Sequence, residues 1–269
     1  MAAKKRSWIK EKIYGFLKKS EFLCQVYEFK PQFKMLCRYG AIYPRTYIIN
    51  HDKKLIYIRM CKVANSSLIA SVCEQDLGIV EDYHQLHARV LGTKKLDEDE
   101  KTYFKFCFVR NPYDRLVSGY VNKYITEKKE MGVTRTSLYM DHYLLGYIKS
   151  PKDFTDFVKK ICKIPTCLED QHFQKQYNLL YDKRGKCRVN YIGKYENLKE
   201  DYEKIRKKFD LCPIPHLNQT SKGNWMDYYT LETAELVHKK YKKDFKVFGY
   251  EHCYQELIQY LKEKERANV

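Results

Sequence analysis

The sequence predicts an α/β fold: a single domain with a mainly parallel central sheet flanked by helices. Three observations lead there. Runs of β-branched and aromatic residues recur at 55–60 (LIYIRM), 104–110 (FKFCFVR) and 189–193 (VNYIG). Between them lie stretches with apolar residues at helical spacing, and strands that alternate with helices pair in parallel. The run FKFCFVR is nearly continuous in apolar residues, as suits a strand covered on both faces.

In chain order, residues 6–28 place Ile9, Ile13, Phe16, Leu23 and Tyr27 near one helical face, with Lys10, Lys12, Lys18 and Lys19 largely elsewhere. We expect residues 1–45 to be a helical extension on or near a domain of 46–269. A basic amphipathic helix can also touch an anionic membrane face peripherally. Residues 47–50 and 55–60 read as successive strands. Residues 61–67 break the pattern with small and polar side chains, and LIASVC then opens a helix at Leu68. The segment 81–91, EDYHQLHARVL, holds two of the eight histidines, and 93–101 reads as a polar surface turn. Asn111-Pro112 ends the FKFCFVR strand, with Pro112 suited to a first helical turn. The helix from Tyr113 to about Thr126 presents Leu116, Val117, Tyr120 and Tyr124 on one face. From 137 to about 178 the pattern is helical in HYLLGYI, DFTDFVKKIC and QHFQKQYNLL. Further helices are expected at about 197–209 and 230–243, separated by a proline-marked loop at 211–215.

The chain has 269 residues, 44% of them hydrophobic and 15% aromatic, enough for a substantial core. A net charge of +17 attracts polyanions without choosing among nucleic acid, an acidic membrane face, an acidic glycan or a phosphorylated cofactor. The ten cysteines include no CxxC pair, and several sit in apolar runs where Cys is a small hydrophobe. With no secretory signal pattern, they read as a reduced, cytosolic set. No apolar stretch approaches the roughly 20 residues that span a bilayer. The expected location is therefore the cytoplasm, with contact at the inner membrane face allowed.

Function concentrates at three strand ends. After 55–60 comes a turn with Lys62, then a helix start with Asn65, Ser66 and Ser67, where N–H groups and the helix dipole favour an anion. Arg110 closes the second strand, with Ser118 eight residues on. Lys194-Tyr195-Glu196 follows the third. Parallel sheets bind ligands at the carboxyl ends of their strands, so two anion sites there suit a ligand with two separated phosphates. Both the Walker loop and the glycine-rich dinucleotide fingerprint are absent.

With these motifs in place the chain resembles the cofactor-dependent sulfotransferases, most closely the carbohydrate (Golgi-type) branch. RMCKVANSSL looks like that family's 5′-phosphosulfate loop, and FVRNPYDRLVSGYVNKY like its 3′-phosphate motif. DQHFQKQYNLL, YIGKYENL, PHLNQTSKGNW and YKKDFKVFGY resemble further blocks in the expected order, over about residues 55–250. The resemblance implies a P-loop-kinase-like fold and sulfuryl transfer from 3′-phosphoadenosine 5′-phosphosulfate to a hydroxyl or amine of a glycan or glycolipid. It assigns Lys62, Val63, Ala64, Asn65, Ser66 and Ser67 to the 5′-phosphosulfate, and Arg110 and Ser118 to the 3′-phosphate. Tyr195 matches an adenine contact, and Lys222 and Gly223 match part of a cofactor loop. There Ser221 stands where the cytosolic relatives carry Arg. Lys62 would stabilise charge on the leaving phosphate oxygen.

Relatives use a glutamate or histidine between the two cofactor motifs as general base. DYHQLH resembles the histidine segment of the uronyl 2-O-sulfotransferases, so His87 is the first choice and His84 the second. Glu81 and Asp82 are carboxylate alternatives, and His172 is a candidate substrate contact. The scheme needs no metal, and His84 and His87 have no obvious third ligand. A basic nucleic-acid-binding protein is the competing class, from the charge, the 25 tyrosines and runs such as KIRKKF. Those runs have helical spacing with apolar faces and read better as solvated helix surfaces, so no nucleic-acid partner is expected. A nucleotide kinase is disfavoured by the missing Walker loop.

Overall fold

The computed structural model describes residues 21–73, 90, 92–126, 143–214 and 223–267. The chain divides into two compact units, Met1–Tyr43 with Tyr120–Glu169, and Pro44–Gly119 with Asp170–Val269. In chain order the elements are α1 (Glu21–Tyr39), β1 (Tyr47–Asn50), β2 (Leu55–Ile58), α2 (Asn65–Val72), β3 (Phe104–Val109) and α3 (Pro112–Tyr120). They continue as α4 (Phe154–Lys163), α5 (Gln176–Leu180), β4 (Tyr191–Lys194), α6 (Leu198–Phe209), α7 (Leu231–Lys240), α8 (Lys242–Phe248) and α9 (Glu251–Ala267).

The second unit carries the whole sheet, ordered β1-β2-β3-β4, and has the α/β class expected. β2, β3 and β4 run parallel, with Tyr57 opposite Phe106 and Phe108 opposite Gly193. β1 pairs antiparallel to β2 at the edge. All four residues of β2 and the last four of β3 are buried, as apolar strands inside a parallel sheet must be. Because β2, β3 and β4 are parallel, the chain leaves each of them at the same edge of the sheet.

β4 passes close to its neighbour. A Cβ on Gly193 would meet Phe108 Cε1 at 2.4 Å, and Phe108 is fully buried. Gly193→Ala is therefore expected to destabilise the fold by about 1–3 kcal/mol through overpacking. Urea denaturation checks it, and an unchanged midpoint would mean that the Phe108 ring moves aside freely.

Several boundaries differ from the sequence reading, each for a local reason. α2 starts at Asn65 instead of Leu68, because Ala64 takes a left-handed conformation (φ 60°) and serves as the N-cap. The third strand is shifted to 191–194, since Asn190 already meets Lys105 through its side chain and its own N–H. Residues 143–148 of HYLLGYI form turns, because Leu144, Leu145 and Gly146 all have positive φ and a right-handed helix cannot continue through them. QHFQKQYNLL is helical only over Gln176–Leu180, where the Asp244 carboxylate accepts from the Gln176 and Tyr177 N–H groups. The helix after Pro112 changes to π geometry over Val121–Thr126, and the expected 230–243 helix is two, α7 and α8. α9 was not expected, although Cys253, Leu257 and Leu261 recur every four residues and bury one face. Of the expected helix at 6–28, residues before 21 lie outside those described; α1 continues through Pro31 to Tyr39.

In the first unit, α4 is capped by Asp153, whose side chain accepts from the Asp156 N–H at 2.8 Å. It buries Phe154, Phe157, Val158 and Ile161, and Phe157 packs with Tyr120 and Tyr124 at centroid distances of 5.2 and 5.5 Å. No described helix is long and apolar enough to cross a membrane.

Candidate active site at the strand ends

The turn after β2 is shaped from beneath by Tyr57. This side chain is fully buried, and its hydroxyl accepts from the Met60 N–H (3.3 Å) and donates toward Asn65 Oδ1 (3.2 Å). One phenol thus joins the end of the strand to the start of α2. Lys62 and Ala64 both have positive φ, 70° and 60°. Glycine is the usual occupant of such positions, and holding other residues there costs roughly 1–3 kcal/mol each. The turn takes two left-handed positions without glycine, which is why a glycine-based pattern does not mark it.

Two buried arginines set the direction of its peptides. Arg115 Nε donates to the Cys61 carbonyl (3.0 Å), and Arg110 Nη1 donates to the Lys62 carbonyl (2.9 Å). No peptide bond here is cis, so each N–H points opposite to the carbonyl of its own plane. The N–H groups of Lys62 and Val63 therefore face away from the arginines. The first-turn N–H groups of α2 emerge at the same turn, with the positive end of the helix dipole behind them. Lys62, Ala64 and Ser66 are partly exposed, whereas Val63, Asn65 and Ser67 are buried.

Arg110 ties the three strand ends together. Its own strand is β3, its Nη1 reaches the turn after β2, and its guanidinium lies 4.0 Å from the centroid of the Tyr195 ring beyond β4. Asp114, one helical turn on, accepts from Nε (2.8 Å) and lies 2.7 Å from Nη2. Burial lowers the Arg110 pKa, and the nearby Tyr195, Glu196 and Tyr250 partly offset that. The backbone at Arg110 is clamped by Gln176, whose side-chain oxygen accepts the Arg110 N–H (2.9 Å) and whose amide donates to its carbonyl (2.8 Å).

The local sequence explains α3. Asn111 Oδ1 caps the helix by accepting from the Tyr113 N–H (3.0 Å), and Pro112 begins it. The Asn111 N–H in turn donates to Glu196 Oε1 (2.8 Å), while Tyr250 donates to Glu196 Oε2 (2.7 Å). Ser118 is buried two turns along α3. Gly223 has φ +62°, and a Cβ there would meet nothing within 4 Å. The segment after it is tied to the start of α3: Trp225 stacks on Tyr113 at 5.7 Å, and Tyr229 donates to the Tyr113 carbonyl.

The structure thus brings together Lys62, Val63, Ala64, Asn65, Arg110 and Tyr195, with Ser66, Ser67 and Ser118 on the adjoining helices. Glu81, Asp82, His84, His87 and Lys222 lie outside the described residues. His172 is held by Asp170 at 2.6 Å. The sequence reading named Glu196 at the third strand end without a role, and missed Arg115, Gln176 and Asp244. Arg115 shares its helix face with Pro112, Ser118 and Gly119, which does not set it apart from a surface cation, and Asp244 carried no signal either. Among the described residues, His252, Cys253 and Glu256 gather as possible metal ligands. They sit at the start of α9, where the helix dipole opposes a cation, and burial pushes the Cys253 thiol up to about 11.

The chain belongs to the sulfotransferase family, whose description matches residues 45–251. It is similar to carbohydrate sulfotransferase 14 of Danio rerio, 26% identical over 76% of this chain and 61% of that protein. Carbohydrate sulfotransferase 11 of Mus musculus is 32% identical over 76% of this chain and 66% of the relative. Carbohydrate sulfotransferase 12 of Mus musculus is 28% identical over 56% and 41%, respectively. The chain therefore spans between 41 and 66% of the length of these relatives. No solved structure matches it.

Proposed function

We propose that the protein transfers a sulfuryl group from 3′-phosphoadenosine 5′-phosphosulfate to a hydroxyl of a carbohydrate acceptor. The observation that carries this reading is the meeting of two basic strand ends through Arg110, in a chain of the sulfotransferase family. The names of the relatives support the acceptor class. The +17 charge favours an acidic glycan or a glycolipid over a neutral one.

In this reading the N–H edge of residues 62–67 receives the 5′-phosphosulfate, and Arg110 with Ser118 receives the 3′-phosphate. Arg110 keeps N–H donors beyond those used by Asp114 and Lys62, since a guanidinium carries five. Tyr195 lies against the Arg110 guanidinium and offers its ring to the adenine, and the resemblance gives Lys222 and Gly223 to the same cofactor. When bound, the donor supplies an electrophilic sulfur and a phosphate leaving group. Lys62 then stabilises the negative charge on the oxygen of the breaking bond, and positioning supplies most of the rest.

The test is binding of adenosine 3′,5′-bisphosphate. Calorimetry in chelator should show one site per chain, competed by the donor and not by oligonucleotide. Absent binding, or binding restored only by a divalent metal, would sink the reading.

A further inference from the structure

Residues 170–174 form a short strap linked to the turn after β2 through Arg115. The Asp170 carbonyl accepts the N–H groups of Phe173 (2.9 Å) and Gln174 (2.8 Å). Arg115 donates from Nη1 to the Gln174 carbonyl (2.9 Å) and from Nη2 to the Gln171 carbonyl (3.3 Å), and the same guanidinium holds Cys61. The Gln171 and Cys61 carbonyls are thus within roughly 9 Å of each other, a guanidinium with a hydrogen bond at either end. The strap also lies on α3 beside Ser118. A Cβ on Gly119 would meet Phe173 Cε1 at 3.1 Å, so glycine there allows the approach. The strap is therefore tied to the turn bearing Lys62 through Arg115 and packs against the helix bearing Ser118.

On this strap is a pair that the binding of the cofactor does not require. Asp170 is fully buried, and its Oδ1 accepts both the His172 backbone N–H (2.9 Å) and the ring Nδ1–H (2.6 Å). The His172 side chain is 14% exposed. With Nδ1–H donated to a carboxylate, the neutral ring carries its lone pair on Nε2, the acceptor nitrogen of a base oriented by a third group. Facing the pair are Arg115 from α3 and Cys61 from the turn. Burial chiefly, and the Asp170 charge in smaller measure, raise the Cys61 thiol, so Cys61 remains a neutral neighbour.

We infer that His172 Nε2 is the general base of the transfer and that Asp170 is its positioning residue. This rests on the proposed sulfotransferase reaction. The acceptor oxygen forms its bond to sulfur as the bond from sulfur to the 5′-phosphate oxygen breaks. The electron pair of that bond stays on the phosphate, giving adenosine 3′,5′-bisphosphate. The hydroxyl proton passes to His172 Nε2 and then to water.

The test uses the full chain, labelled donor and desulfated chondroitin as the acceptor probe. His172→Ala and His172→Gln should lower turnover about 10²–10⁴-fold while leaving the bisphosphate dissociation constant unchanged. The ascending limb of the pH–rate profile should vanish with them and shift in Asp170→Asn, which a merely structural role would not produce. If the limb survives in both His172 variants and disappears in His87→Ala or His84→Ala, the inference is overturned. Should the variants fail to fold, nitrogen NMR of the wild-type histidines decides. A proton on Nδ1 of His172, with an upward shift of its titration on adding the bisphosphate, supports the assignment. A proton on Nε2, or indifference to the bisphosphate, overturns it. If the wild type itself neither binds the bisphosphate nor transfers label, the reaction falls and takes the inference with it.

Discussion

Arg110→Ala is expected to weaken adenosine 3′,5′-bisphosphate binding about 10- to 100-fold, the equivalent of a charge-assisted bond of roughly 1.5–3 kcal/mol. It should also destabilise the fold. The Arg110 side chain is 5% exposed and that of Asp114 15%, so truncation removes the guanidinium partner of a largely buried carboxylate. Breaking such a pair costs about 3–5 kcal/mol. The mutation also releases the Lys62 carbonyl and so disturbs the phosphosulfate turn. The sequence alone gives Arg110 a 3′-phosphate role, with affinity lost more than turnover of the bound complex. The observed bonding predicts losses in both. Arg110→Lys should restore little, because one ammonium cannot span Asp114, the Lys62 carbonyl and the Tyr195 face together. Calorimetry and urea denaturation read the two effects separately. A folded Arg110→Ala protein with wild-type affinity and stability would remove Arg110 from the site.

Lys62→Ala is expected to lower turnover about 10²–10³-fold, the magnitude of losing one preorganised donor at a developing negative charge. Stability should change little. The side chain is partly exposed, and the turn is held through backbone carbonyls and Tyr57, none of which uses the Lys62 ammonium. One countervailing effect exists, since Lys62 has φ 70°, but Ala gains nothing there that Lys lacks. Lys62→Met, which keeps the stem and removes the charge, should be equally slow. Single-turnover kinetics with labelled donor distinguish the outcomes: a fast chemical step in either variant would show that the backbone cradle suffices without the ammonium.

Much of the site could be read along the chain because its parts are local. A cation follows a strand, hydroxyls open the next helix, and Arg110 precedes Asn111-Pro112 by one position. Such signals depend on sequence neighbours and survive without coordinates. The boundaries failed where side chains replaced backbone partners, as Asn190 does for Lys105, or where left-handed residues stopped a helix, as at Leu144 and Leu145.

Periodicity and motif order alone determined the class of fold and the family. Both follow from short-range patterns, since the alternation of strand and helix dictates which strand ends coincide. Only the tertiary structure decided that Arg110 reaches the Lys62 carbonyl and the Tyr195 ring, and the direction of the peptides around Lys62. Arg110 meets Lys62 across 48 residues, and Arg115 meets Gln174 across 59. Asp244 caps a helix 68 residues before it. Contacts of that separation exist only once the sheet is assembled and the arginines are buried. Burial then forces each polar group to find a partner, and no one-dimensional pattern encodes which partner it will be.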